Sequence, residues 1–153
     1  MFDRLKRWLL GSSADRDPNL TAEQAVAALL YEIARMDYEV TQADLASASA
    51  ALRDLFELEQ GRADALLREA QSSAKGLTSY FEPISAINAA FTPERKIRLV
   101  EHLWRVAHAD DDLHENEDHL VRKLADLLYV PHIQTMLARQ RARLSVDVPE
   151  RTR

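Results

Sequence analysis

The chain has 153 residues, nearly half of them hydrophobic, which is enough for one domain with a buried core of its own. A formal net charge of −5 speaks against a dedicated nucleic-acid binder, which carries a basic face. The lack of cysteine excludes disulfides, thiolate zinc sites and cysteine nucleophiles, and no apolar run approaches the ~20 residues that a membrane span requires.

Glycine and proline are scarce, while Ala, Leu, Glu and Arg, all strong helix formers, are abundant. The first ten residues are basic and apolar but lack a long apolar stretch and a cleavage site, so no signal peptide is expected and the cytoplasm is the expected compartment. Residues 2–10 read as a short helix with Phe2, Leu5 and Leu9 on one face. Such a helix either touches a membrane surface weakly or docks on its own domain or a partner, and the second reading is favoured because membrane anchors are commonly longer. The polar stretch from Gly11 to Asn19 reads as a linker, so residues 1–19 stand apart from a helical domain over 20–143.

Thr21-Ala22-Glu23-Gln24 is a capping-box start, followed at helical spacing by Val26, Leu29, Leu30, Ile33 and Ala34. Thr41 caps a second helix whose inner face is Leu45, Ala48, Leu52, Leu55 and Phe56. Gly61 marks a break, and a third helix carries Leu66, Leu67 and Ala70. The segment from Thr78 to Phe91 is helical in pattern, with Pro83 opening its first turn or kinking it. Thr92-Pro93 starts a helix with the stripe Leu99, Leu103, Val106 and Ala107. Another follows with Leu120, Val121, Leu124, Leu127 and Leu128, and Pro131 opens a last helix through Ile133, Met136 and Leu137. Residues 144–153 read as a frayed tail.

Two stretches hold most of the candidate oxygen ligands: Ala34 to Asp44 and Ala107 to Glu117. Laid on one another, Val26 falls on Leu99, Leu30 on Leu103, Tyr31 on Trp104, Ile33 on Val106 and Ala34 on Ala107. In the same register Asp37 falls on Asp110, Glu39 on Asp112 and Asp44 on Glu117; after a one-residue slip, Leu52 meets Leu124 and Leu55 meets Leu127. The expected fold is therefore all-α, a single helical domain of about seven or eight helices built from two pseudo-symmetric helix-loop-helix repeats.

The pattern Ala-x-Ala-Asp-x-Asp-Leu-x-x-x-Glu between two amphipathic helices resembles the TerB-like family of tellurite resistance proteins, over about residues 20 to 143. The family pattern has Asp-Gly where this chain has Asp37-Tyr38 and Asp110-Asp111. The resemblance implies an all-helical binding module, divalent-metal binding at the acidic loops and a role linked to tellurite or general stress. The candidate metal ligands are Asp37, Glu39 and Asp44 in the first loop and Asp110, Asp112 and Glu117 in the second. Carboxylates alone suit calcium or magnesium, with backbone and water supplying the remaining oxygens. An EF-hand does not fit, because Glu115 stands where its glycine belongs and Val121 where its final glutamate belongs. A second reading stays open: Asp37 and Asp110 end the inward stripes of their helices, Asp44 and Glu117 sit third in capping boxes, and the loops then only cap helices in a structural or protein-interaction domain.

The five histidines, His102, His108, His114, His119 and His132, lack transition-metal spacing; His102 reads as a packed or partly exposed residue and not a ligand, and Tyr31 and Trp104 as core or rim aromatics. Ser72 and Ser73 have no His or Asp at useful spacing, and there is no phosphate-binding glycine loop, so no enzyme is expected. The sequence leaves a protein partner and the oligomeric state open.

Overall fold

The computed structural model describes residues 20–36, 39–73, 79–109 and 115–147. They form seven helices: α1 (Ala22–Ala34), α2 (Gln42–Phe56), α3 (Gln60–Ser73), α4 (Phe81–Ala90), α5 (Pro93–Ala107), α6 (Glu115–Leu127) and α7 (His132–Asp147). No strand occurs among the described residues, so the all-α expectation holds. The short helix expected over residues 2–10 and the linker after it lie outside them. None of the described helices is long and apolar enough to cross a membrane.

The start signals act as the sequence indicates. Thr21 Oγ1 accepts the Gln24 N–H at 3.0 Å while Gln24 Oε1 accepts the Thr21 N–H at 3.0 Å. Thr92 Oγ1 accepts the Arg95 N–H at 3.2 Å, with Pro93 in the first turn. Pro83 is the third residue of α4, where its missing N–H removes no helical bond. It opens that helix and does not kink it.

α1 is the hub. Nine of its 13 residues are buried, including Val26, Leu29, Leu30 and Ile33, so its surface is apolar on nearly every side. Such a helix must be surrounded, and α2, α3, α4, α5 and α6 all pack on it. α5 is the second hub, amphipathic where α1 is not, and touches α1, α2, α6 and α7.

The break between α2 and α3 comes before Gly61. Glu57 ends α2 with φ 55°, a left-handed conformation that an L-residue adopts at a cost. The reversal lets Leu58 fold onto the core, and the Ala63 N–H bonds Glu59 O to open α3. Arg95 of α5 finishes the job: its guanidinium donates to the Leu55 carbonyl and lies over the Phe91 and Phe56 rings, 4.1 and 5.3 Å from their centroids. α6 ends in a Schellman turn, with the Val130 N–H on Ala125 O, the Tyr129 N–H on Asp126 O, and Tyr129 at φ 65°.

α7 departs from the sequence reading. Ile133 is 64% exposed and Leu137 42% exposed, and the buried stripe is instead Thr135, Ala138 and Ala142. Small side chains there bring α7 against α5, where the fully buried Trp104 donates its indole N–H to Thr135 O at 3.1 Å. The helix continues past Leu144 to Asp147.

This arrangement makes the cost of substitution on α7 opposite to what hydrophobicity alone suggests. Ala142→Leu is expected to lose about 1–3 kcal/mol in urea unfolding through overpacking against α5, whereas Ile133→Ser stays within about 0.5 kcal/mol. The reverse order would show that Ile133, not Ala142, faces the core.

Candidate functional site

Three of the six carboxylates singled out by the sequence, Asp37, Asp110 and Asp112, lie outside the described residues. The other three flank the two acidic loops. Glu39 is exposed on the approach to α2. Asp44, third residue of α2, is only 3% exposed; its Oδ2 accepts the Thr41 N–H at 2.9 Å while Thr41 Oγ1 accepts the Asp44 N–H at 3.0 Å. This is the reciprocal capping box that the sequence pattern predicts. Glu117, third residue of α6, is likewise 3% exposed. Among the described residues no three His, Asp or Glu side chains gather closely enough to hold a metal ion.

The helices that lead into the two loops end in the same way. The Arg35 N–H bonds Tyr31 O at 3.0 Å and the Met36 N–H bonds Ile33 O at 3.2 Å. The His108 N–H bonds Trp104 O at 2.9 Å and the Ala109 N–H bonds Val106 O at 3.1 Å. The residues pair as the sequence overlay pairs them, so the likeness of the two stretches reaches the backbone hydrogen bonds. At the first loop the C-cap is Arg35, whose charge offsets the negative end of the helix dipole; at the second it is His108, which caps through its ring N–H instead of a charge.

Their surroundings differ. At the first loop Arg35 pairs at 3.2 Å with Glu32, a carboxylate buried in α1. Burial, reinforced by the charge of Glu32, raises the pKa of Tyr80 nearby. At the second, the His108 ring donates Nδ1–H to Trp104 O at 2.8 Å, and burial lowers its pKa, with Arg139 and Arg143 acting in the same direction. Arg139 lies over the Trp104 ring at 5.1 Å and 3.9 Å from Asp118, which also faces Arg122 at 3.2 Å.

Sequence reasoning missed a second polar cluster, where α2, α5 and α7 meet. Asp54 takes two hydrogen bonds from Arg98, at 2.6 and 2.9 Å, and a third from His102 Nε2 at 2.7 Å. The Arg98 pair holds the Asp54 carboxyl well below the usual carboxylate range. With Nε2–H given to Asp54, His102 Nδ1 accepts from Arg105 at 3.3 Å. That is a neutral imidazole, and burial indeed lowers its pKa. Glu101 gathers Arg105 and, at 2.9 Å, Arg141 of α7. Of the two placements expected for His102, packed or partly exposed, the first holds, and its ring is a hydrogen-bond relay between helices. The available signal was the polar stripe Arg98, His102, Arg105 at helical spacing along α5; Asp54, on another helix, carried none.

Compared with known proteins, residues 23–140, well over half the chain, match the family described as tellurite resistance protein TerB. No curated protein and no solved structure matches.

The buried His102, the half-buried His108 and Asp54 shape the pH response. The fold favours neutral His102 and His108, so the unfolded chain binds more protons near their usual value of 6.5, and stability present above that value is lost as pH falls through their lowered folded values. Asp54 adds stability that is present above its usual 3.8 and lost at still lower pH. The melting temperature is expected to drop between about pH 7.5 and 5.5, and the drop to shrink in His102→Gln and His108→Gln. A melting temperature flat over that range would contradict the assignment of neutral rings.

Proposed function

Because the chain belongs to the TerB family, we propose that it acts as a cytoplasmic, non-catalytic helical binding module that takes a divalent cation, calcium or magnesium, at its two acidic interhelical loops. The family's name supports extending this to a role in tellurite resistance or general stress. The observation that carries the reading is the matched placement of Asp44 and Glu117. Each is a buried carboxylate one turn into the helix that leaves an acidic loop.

The chemistry of the donor set fits a hard cation. All six candidates are carboxylates and no thiolate exists in the chain. Asp44 and Glu39 would serve the first loop with Asp37, and Glu117 the second with Asp110 and Asp112. Capping does not remove Asp44 from this set, since a carboxylate has two oxygens and about four lone-pair sites. Bound there, a cation would supply positive charge next to a helix C-terminus in an acidic stretch of sequence.

The capping box at Asp44 favours a second reading, in which the loops only close helix ends and the domain presents a surface to a protein partner. The two separate cleanly. Under cation binding, calorimetry with calcium, magnesium or manganese gives heat. At a free cation about 100 times its Kd the fold gains about 2.7 kcal/mol, read as a higher melting temperature. Asp110→Asn and Glu117→Gln then lose the second loop's share of that rise. If millimolar cation gives neither heat nor thermal shift, and Asp110→Asn costs the same with and without it, the loops are caps alone.

A further inference from the structure

A groove of about 320 Å³ runs between α2 and α3, lined among others by Gln42, Ser49, Arg53, Asp64, Arg68 and Gln71. On α2 the lining residues Gln42, Leu45, Ala46, Ser49 and Arg53 recur at helical spacing, and on α3 Gln60, Asp64, Leu67, Arg68 and Gln71 do the same. Two long helix faces are therefore turned toward one another, with the buried Ser49 and Leu67 as the floor and polar residues as the walls. Gln42 is the first residue of α2, so the groove opens beside the first acidic loop.

Its floor holds an anomaly. Ser49 is 4% exposed, and its hydroxyl has no hydrogen-bond partner among the described residues. A serine inside a helix ordinarily returns its hydroxyl to the carbonyl four residues back, as Ser72 does to Arg68 O and Ser73 to Glu69 O, each at 3.1 Å. A buried polar group without a partner costs stability. The walls repeat the pattern: neither Arg53 nor Arg68 makes an ion pair among the described residues, although other arginines such as Arg35, Arg62, Arg98 and Arg141 do. Arg53, in the last turn of α2, also offsets that helix dipole, a role that does not require it to line the groove.

We propose that this groove is a binding site for a small ligand bearing an oxyanion, phosphate or carboxylate. Arg53 and Arg68 clasp the oxyanion from opposite helices, since guanidinium groups suit planar, two-point recognition of such groups. The Ser49 hydroxyl gains at the floor the hydrogen bond it lacks. Asp64, on the same wall as Arg68, takes a hydroxyl or ammonium of the ligand, so the preferred ligand carries a donor group next to its oxyanion. The groove shares none of the six loop carboxylates and stands independently of any cation there.

The test is a nuclear magnetic resonance titration of the full chain with inorganic phosphate and, separately, citrate, against sodium chloride at equal ionic strength. Saturable shifts at the Ser49 amide and the Arg53 and Arg68 Nε–H signals with either anion, but not with chloride, are expected. The anion that saturates identifies the chemical source of the oxyanion. The double variant Arg53→Gln with Arg68→Gln, both exposed positions, should weaken binding by about tenfold or more while lowering the melting temperature by only a few degrees, the share of Arg53 in offsetting the α2 dipole. Ser49→Ala should melt at the same or a higher temperature than the parent and bind more weakly. Shifts that match the chloride control, or that survive in the double arginine variant, overturn the proposal. So does a Ser49→Ala protein that melts well below the parent, because the hydroxyl then has a structural partner.

Discussion

A helix that is apolar nearly all round cannot lie on a surface, and α1 is such a helix. Burying its side chains at roughly 25 cal/mol per Å² is the largest favourable term available to it. The only geometry that achieves this is a ring of other helices around it. Five supply that ring, and their own outward faces then set what the protein presents to solvent. The one charged side chain buried in α1, Glu32, sits in the last turn, where Arg35 reaches it, so the exception falls where the helix meets water again. Unpaired burial of that carboxylate would cost several kcal/mol.

The acidic loops follow from the same constraint. Both hub helices run their apolar stripes to the end and must reverse into a helix that packs back on the core. The reversals are built alike, with the same i−4 and i−3 backbone bonds on the way out. On the way in, each offers a buried carboxylate in the first turn. A carboxylate there complements the positive helix terminus, which explains burial without any ligand; it also places one hard oxygen donor at the same point in each loop.

Much of this was legible in the residues. Thr21, Thr41 and Thr92 announce their helices through capping chemistry that is local in sequence, and all three act as N-caps. The stripes of α1, α2 and α5 are dense enough to identify their inner faces. α7 was misread because its packing is governed by small residues: Ala138 and Ala142 allow close approach to Trp104 and its neighbours, and a search for large apolar side chains finds Ile133 and Leu137 on the wrong face. Leu127 failed for a related reason. The overlay sets it on Leu55, yet it is 38% exposed at the end of α6 while Leu55 is buried. Of the Asp54 cluster the sequence shows only the polar stripe of α5, and of the Ser49 groove nothing, because both depend on which helix faces lie opposite one another, a fact of tertiary packing that no spacing within one helix encodes.

The contacts that fasten α2 to α5 also bear on how quickly the chain reaches its fold. Arg95 to Leu55, Arg98 to Asp54 and His102 to Asp54 join residues separated by 40, 44 and 48 positions. Closing loops of that length carries an entropy that short helical hairpins such as α2–α3 do not incur, although it grows only slowly with length. The local hairpins can form first, on the microsecond scale of helix formation, and the salt-bridged seam between α2 and α5 then acts as a late latch that closes the two halves of the chain around α1. Interactions that form late slow unfolding more than they speed folding, so this polar seam chiefly lengthens the lifetime of the native state.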